Sequence, residues 1–322
     1  MKKSLWPLAF VFLSFLSACS TINDAQKLAT AGAQASTKLQ ASSTAVYNGF
    51  LEGPKLDALD QAYATNGEQP ITTMPIGTYN KIRDALKARI DVATSLVSVY
   101  ASFGKLASST AQSDTDTALS GLSDSVSKLS VALNGKAIPA STASIIGEGG
   151  GLIAMLAQRD AILATNDQII SALNSYHDLL AKSENRQAIV SLSKDAIGYR
   201  FEVLKVFWKR GLMTGNQTAL TNVIAESGMS FKLAGKPDDF SANSPAFNKA
   251  MLAYLEFAKS DQAAAVEDEY DANLKLVEGL LKQHTSIKND TALDFTEIGA
   301  LATRLQAIAD LLQKEAKLKT GS

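Results

Sequence analysis

The chain has 322 residues, and its 31 Lys and Arg against 32 Asp and Glu give a net charge of −1 at pH 7. This near-neutral balance argues against a nucleic-acid partner, because proteins that bind nucleic acids carry a clear excess of basic residues. A chain of this length can bury a sizeable core, either as one large domain or as two.

Residues 1–18 have the layout of a secretory signal peptide. Two lysines precede an apolar run over residues 5–16, which is too short to span a bilayer as a stable helix. The residues that close this run, Leu16-Ser17-Ala18-Cys19, resemble the lipobox of bacterial lipoproteins. The resemblance implies cleavage before Cys19 and acylation of its thiol and of its new amino group. An ordinary signal peptide with a chance cysteine is the alternative.

The predicted anchor also implies a location and a membrane partner. Several acyl chains on Cys19 would hold the protein stably on a membrane. The next residue is Ser20 rather than Asp, which by analogy with Gram-negative lipoproteins indicates the outer membrane of the cell envelope. Cys19 is the chain's only cysteine, so residues 19–322 would keep no free thiol for disulfides, zinc or nucleophilic chemistry. Removal of two lysines with residues 1–18 leaves 29 basic against 32 acidic residues, a net charge of −3.

Residues 19–322 are predicted to form an all-α fold, an elongated bundle of long antiparallel helices. Apolar residues recur at alternating spacings of three and four, for example from Leu119 to Leu133, which is the pattern of one-sided helices with coiled-coil-like packing. We find almost no convincing strand. In chain order the predicted helices cover residues 23–53 with an extension to 63, 78–110, 115–134, 152–183, 185–210, 216–227, 246–284 and 291–318.

Glycine and proline mark the predicted breaks between these helices. Gly53-Pro54 is expected to kink or end the first helix, and residues 65–77, 135–151 and 228–245 are predicted to be loops. The candidate positions for a division of the bundle into two domains are 65–77 and 228–245. Small residues dominate one face of the first helix, which predicts close packing on a neighbour. A disordered Ala/Ser/Thr/Gln linker is the alternative for that segment.

Two histidines, His177 and His284, remain in residues 19–322, and neither has a His or Cys partner at metal-ligand spacing. We expect both to be structural, with His284 close to a helix C-terminus, where the helix dipole favours a cation. The glycine-rich run 147–151 lacks the Lys-Ser/Thr pair of a phosphate-binding loop. The sequence therefore predicts no catalytic residue, no metal, no cofactor and no enzyme activity.

Two predicted helical stretches carry opposite charges. Residues 186–210 hold six basic and two acidic residues, a net +4, whereas residues 256–278 hold seven acidic and two basic residues, a net −5. We expect these stretches to lie side by side, and we expect the acidic cluster 267–271 to be a solvated helix face. Trp208 stands among basic residues, a composition that also suits contact with a membrane surface.

The weakly polar stretch 137–158 carries a single charge, Glu148, in 22 residues. Between two long helices it resembles, in architecture rather than in any residue motif, the membrane-inserting tongue of helical pore-forming toxins. The resemblance implies insertion through Ile145 and Ile146. The Ser, Thr and Gly content of the stretch matches a bilayer poorly, and a packed or partner-binding turn is the alternative.

Together these features predict a non-enzymatic, lipid-anchored envelope protein that acts as an adaptor or scaffold. Its partner would be another envelope protein, a secretion assembly or a second copy of the chain. The loops at 135–151 and 228–245 are the expected contact regions. The second loop contains three apolar candidates, Met229, Phe231 and Phe240, for which a loop folded back onto the core is the alternative. A membrane-active protein that inserts residues 137–158 is the alternative, and a carrier for a small apolar ligand between the helices is a third class.

Overall fold

The computed structural model describes residues 6–64, 76–108, 113–136, 152–209 and 245–317, and over these ranges the chain is an all-α bundle without a strand. This confirms the predicted fold class. The described helices, in chain order, are α1 (Trp6–Ala64), α2 (Ile76–Ser108), α3 (Ser113–Asn134), α4 (Leu152–Ala181), α5 (Ser183–Lys209), α6 (Pro245–Lys288) and α7 (Thr296–Lys317).

Gly53-Pro54 was predicted to kink or end the first helix, with an extension to residue 63. The helix does not end there, because α1 continues through both residues to Ala64, which confirms the extension. Proline removes one backbone hydrogen bond and crowds the preceding turn, which in an isolated helix costs about 3 kcal/mol. Here the turn before it is held by tertiary packing: Phe50 is fully buried and Gly53 is buried. Packing of this kind supplies most of the stability of a protein helix. The predicted helix at 216–227 lies outside the described residues.

The chain forms two compact units whose boundaries fall inside helices. Unit 1 comprises Met1–Ser43, Asp84–Arg186 and Asp271–Gln306, and unit 2 comprises Thr44–Arg83, Gln187–Tyr270 and Ala307–Ser322. Five helices, α1, α2, α5, α6 and α7, therefore contribute residues to both units. The candidate divisions at 65–77 and 228–245 fall almost entirely outside the described residues and remain predictions.

In unit 1, α1 packs antiparallel on α2 through small residues. The Gln40 side chain bonds the Thr94 hydroxyl over 2.8 Å, and toward the other end of this helix pair a Cβ added to Gly104 would lie 3.2 Å from the Cβ of Ala29. The predicted small-residue face of α1 is buried, which excludes the disordered-linker alternative for this segment. Its buried members are Leu28, Gly32, Ala35, Leu39, Ser42 and Val46.

In unit 2, α5 and α6 lie side by side with opposite charges paired, as predicted. Glu202 accepts hydrogen bonds from Lys205 over 2.7 Å and from Lys259 over 2.6 Å, and Lys205 also pairs with Glu256. Partial burial disfavours the charged carboxylate, but the hydrogen bonds and charges of the two lysines outweigh it and lower the pKa of Glu202. These pairs align the two helices antiparallel.

The acidic cluster 267–271 is not the solvated helix face that we predicted. Glu267 bonds Lys194 over 2.7 Å in unit 2, and Asp271 bonds Arg186 over 3.1 Å in unit 1. Glu269 and Tyr270 are fully buried. Consecutive residues of a helix point in directions about 100° apart, so five adjacent positions necessarily include inward-facing ones.

Gly53 marks a close approach of α1 to α5 in unit 2, because a Cβ built on it would overlap the carbonyl oxygen of Ala196. We expect Gly53→Ala to push these helices apart and to lower the free energy of unfolding by about 1–3 kcal/mol. Gly121, in α3, has nothing within 4 Å of the added Cβ. Gly121→Ala is the matched control and should raise stability by about 0.5–1 kcal/mol through helix propensity. Urea denaturation followed by circular dichroism measures both, and a stabilising Gly53→Ala would contradict the close approach.

Candidate functional site

Cys19, the predicted acylation site, lies exposed on α1 immediately before the buried part of that helix. Ser20 is also exposed, whereas Thr21 is 6% exposed and both Ala25 and Leu28 are fully buried. The packed core of unit 1 therefore begins within one helical turn of Cys19. A group attached to its sulfur would project into solvent and would displace none of these core side chains.

The remaining predicted contact residues lie outside the described part of the structure. Five of them, Ile145, Ile146, Met229, Phe231 and Phe240, fall within residues 137–151 and 210–244. Trp208 belongs to the last turn of α5, but its side chain is not among those described. The roles of all six residues therefore remain predictions.

A fully buried polar cluster lies in the core of unit 1, formed by Tyr100 of α2, Asn166 of α4 and His284 of α6; we call it the His284 cluster. The Tyr100 hydroxyl lies 3.1 Å from Nε2 of His284, and Oδ1 of Asn166 lies 2.6 Å from its Nδ1. Nδ2 of Asn166 also donates to the backbone carbonyl of His284 over 2.9 Å. The rings of Tyr100 and Phe103 lie against the imidazole, with centroid distances of 5.7 and 5.8 Å.

The hydrogen bonds of this cluster assign the tautomer of His284. Because Nδ2 of Asn166 is used as a donor to the backbone, its Oδ1 is the acceptor and Nδ1 of His284 carries the proton. Nε2 then accepts a hydrogen bond from the Tyr100 hydroxyl. Burial raises the pKa of Tyr100, so the hydroxyl stays protonated, and burial lowers the pKa of His284 to about 3. The imidazole is therefore neutral at physiological pH.

The structure supports a structural role for His284 but corrects the cation expected at this helix end. His284 lies one turn before the end of α6 at Lys288, yet its side chain is fully buried and neutral. The free-energy cost of desolvating a charge in an apolar core is larger than the stabilisation that a helix dipole provides. Every polar atom of the imidazole is paired inside the protein, so the cluster fixes the positions of α2, α4 and α6 in unit 1.

His177 lies on the surface of unit 1 between two carboxylates. Its Nδ1 is 3.4 Å from Asp178 and its Nε2 is 3.3 Å from Glu278 of α6. Among the described side chains no group of three or more His, Cys, Asp or Glu residues has an arrangement that could hold a metal ion. The contact with Glu278 joins α4 to α6 near the surface, where polar contacts contribute little to stability.

An open groove of about 420 Å³ lies between α2 and α3 in unit 1. Several of its hydroxyls already bond helix carbonyls: Ser95 donates to Gly121 over 3.3 Å, and Ser98 donates to Thr94 over 3.3 Å. The lining combines hydroxyl and carboxylate groups with apolar surface, and a carrier role for a small apolar ligand remains a prediction. Its lining residues are Ser95, Ser98, Ser102, Asp114, Thr117, Ala118 and Gly121.

Comparison with protein-family models, with curated proteins and with solved structures finds no match for this chain. The functional argument therefore rests on the residues themselves. In the sequence, Tyr100 and His284 each end an apolar stripe with three-four spacing, over residues 82–100 and 266–284. A polar aromatic residue in such a stripe is the signal that could have paired them. Asn166 belonged to no stripe, and its role was missed.

The His284 cluster predicts that acid destabilises the protein. The unfolded-state pKa of His284 is near 6.5 and the folded-state pKa is about 3, so between these values the unfolded state binds more protons and is favoured as pH falls. Stability should decrease by up to about 1.4 kcal/mol per pH unit below about pH 6.5. Urea denaturation at about pH 7, 6 and 5 measures this slope above the range in which most carboxylates titrate.

Two variants separate the contributions of the histidines to this slope. His284→Gln removes the buried titrating group and should flatten the dependence of stability on pH. His177→Gln removes the surface histidine and should leave the steep dependence in place. A slope that survives in His284→Gln, or that disappears in His177→Gln, would contradict the assignment to the buried cluster.

Proposed function

We propose that this chain is a lipid-anchored protein of a bacterial envelope, most consistent with the outer membrane, and that its helical bundle acts as a non-enzymatic adaptor or scaffold. The observation that carries the proposal is the position of Cys19. The only cysteine closes a lipobox-like sequence, is exposed, and stands one turn before the buried core of unit 1. Acyl chains on this residue would attach the folded bundle to the membrane without a linker.

The disposition of the charged and polar groups supports an interaction role over a catalytic one. His284 is buried in the core, and two basic residues of α5, Lys194 and Lys205, pair with Glu267 and Glu256 of α6 along a helix interface. Groups arranged in this way hold helices together. A catalytic group, by contrast, must reach a substrate and have a proton affinity suited to the reaction.

The expected partner is another envelope protein, a secretion assembly or a second copy of the chain. Phe257 of α6 is the most exposed of the large apolar side chains that the structure describes, at 71%, and Tyr199 of α5 is 45% exposed. Both belong to unit 2. Exposed aromatic residues are typical of contact surfaces. In the sequence, Phe257 follows the end of the predicted contact loop 228–245 by 12 residues.

Photo-crosslinking in intact cells tests the adaptor role. A photoreactive phenylalanine analogue in place of Phe231, and separately in place of Phe257, should capture one discrete protein in a fixed ratio, which mass spectrometry identifies. The same analogue at Asp178, an exposed polar position of unit 1, is the control and should capture little. Identical products at all three positions, or none at Phe231 and Phe257, would contradict the proposal.

The membrane-active alternative makes the opposite prediction in a vesicle assay. Among the described helices none combines the length and the apolar character needed to cross a membrane, and the apolar residues that would insert, Ile145 and Ile146, lie outside the described ranges. An adaptor should cause no leakage from dye-loaded vesicles. Strong leakage that is lost when both isoleucines are replaced by Asp would favour the alternative instead.

A further inference from the structure

Two helices of unit 1, α1 and α4, each donate a side-chain hydrogen bond to the last turn of α2. The side chain of Gln26, on α1, donates to the carbonyl oxygen of Ala107 over 3.1 Å. The side chain of Gln158, on α4, donates to the carbonyl oxygen of Leu106 over 2.9 Å. The two glutamines bond neighbouring carbonyl groups of one helix, so they mark the same height in the unit.

From this level α1 and α4 run in the same direction. Six residues beyond Gln26, Gly32 packs against the ring of Tyr100, and eight residues beyond Gln158, Asn166 bonds His284 in the same cluster. In the opposite direction Cys19 lies seven residues before Gln26, and α4 begins six residues before Gln158. At the helical rise per residue these distances are about 10 Å and about 9 Å. Cys19 and the first turn of α4 therefore reach the same height at one end of unit 1.

In α1 no flexible linker separates Cys19 from the packed part of unit 1. The helix is continuous from Cys19 into its packed portion, where Thr21 and Ala25 are already buried. A flexible lipoprotein linker of many residues could hold its domain far from a bilayer, but here fewer than two turns separate Cys19 from the Gln26 level. The acyl chains would thus hold the neighbouring helix ends close to the lipid headgroups.

We infer that residues 19–27, 106–108 and 152–160, which we call the anchor end, form a surface that faces the headgroups of the membrane holding Cys19. The inference rests on the proposed acylation, and it deepens that proposal by assigning an orientation to unit 1. The partner is the lipid surface itself. Unit 1 then stands with α1 and α4 rising from the bilayer and with the His284 cluster farther from it than the anchor end.

The charge of the anchor end indicates which lipids it suits. It contains two basic residues, Lys27 and Arg159, and two acidic residues, Asp24 and Asp160, for a net charge of zero. A surface without a basic excess gains nothing from anionic lipids, whose attraction amounts to about 1 kcal/mol for each basic residue near the membrane. Proximity of the anchor end should therefore depend on the acyl chains and be the same on zwitterionic and on mixed anionic vesicles.

Fluorescence quenching by nitroxide-labelled headgroups tests the orientation. The natively acylated protein leaves no other free thiol, so a cysteine introduced by Asp160→Cys, or by Asp178→Cys as the matched control, takes a thiol-reactive fluorophore specifically. Both positions are exposed on α4 within unit 1, and 18 residues separate them by about 27 Å along the helix. The probe at position 160 should be quenched severalfold more strongly than the probe at position 178.

The outcomes separate this inference from the proposed function. Equal quenching at the two positions, on vesicles with which the protein co-floats, would overturn the orientation while leaving the anchor intact. Failure to co-float, with no acyl mass on Cys19, would overturn the anchor itself. Stronger quenching at position 160 by nitroxides deep in the acyl region than by headgroup nitroxides would overturn the surface orientation, because it would show that the anchor end inserts into the bilayer. Quenching at position 160 that requires anionic lipid would contradict the charge argument.

Discussion

The packing of unit 1 depends on the absence of a side chain at Gly32. A Cβ at that position would overlap the ring of Tyr100, and the hydroxyl of the same Tyr100 donates to His284 in the centre of the core. Asn166 then connects His284 to α4. One glycine on α1 therefore permits the position of one tyrosine on α2, and that tyrosine sets the places of α6 and α4. A close approach of this kind requires glycine because any larger residue would separate the helices.

The polar contacts of the His284 cluster in unit 1 differ in kind from the ion pairs between α5 and α6 in unit 2. The contacts of the His284 cluster are buried and neutral, since a fully buried imidazole is stable only when uncharged and fully hydrogen-bonded. In unit 2 the contacts between α5 and α6 are ion pairs near the surface, where solvent screens their energy. The ion pairs thus determine which helix lies beside α5 more than they determine stability. Helix-rich sequences with similar apolar faces need such contacts to select one arrangement.

Much of the fold could be predicted because local sequence patterns determine it. The three-four spacing predicted the helices, the small residues of α1 predicted its burial, and the opposite charges of two segments predicted the pairing of α5 with α6. What the patterns left open or missed involves tertiary contacts that no local pattern contains. Gly53-Pro54 left open whether the first helix ends, and it continues because Phe50 and Gly53 are packed in the core. Glu269 is buried although the acidic cluster around it indicated exposure. For the candidate site, Cys19 could be identified from its neighbours in sequence, whereas the height that it shares with the first turn of α4 required the structure.

The central claim is that Cys19 is the lipid attachment site from which the bundle rises directly. Mass spectrometry of the N-terminal peptide, taken from the protein in its native membrane, tests that claim most directly. We predict a peptide that begins at Cys19 and carries acyl groups on both the thiol and the amino group. A peptide in which Cys19 has a free thiol, whether residues 1–18 are still attached or have been removed elsewhere, would contradict the account.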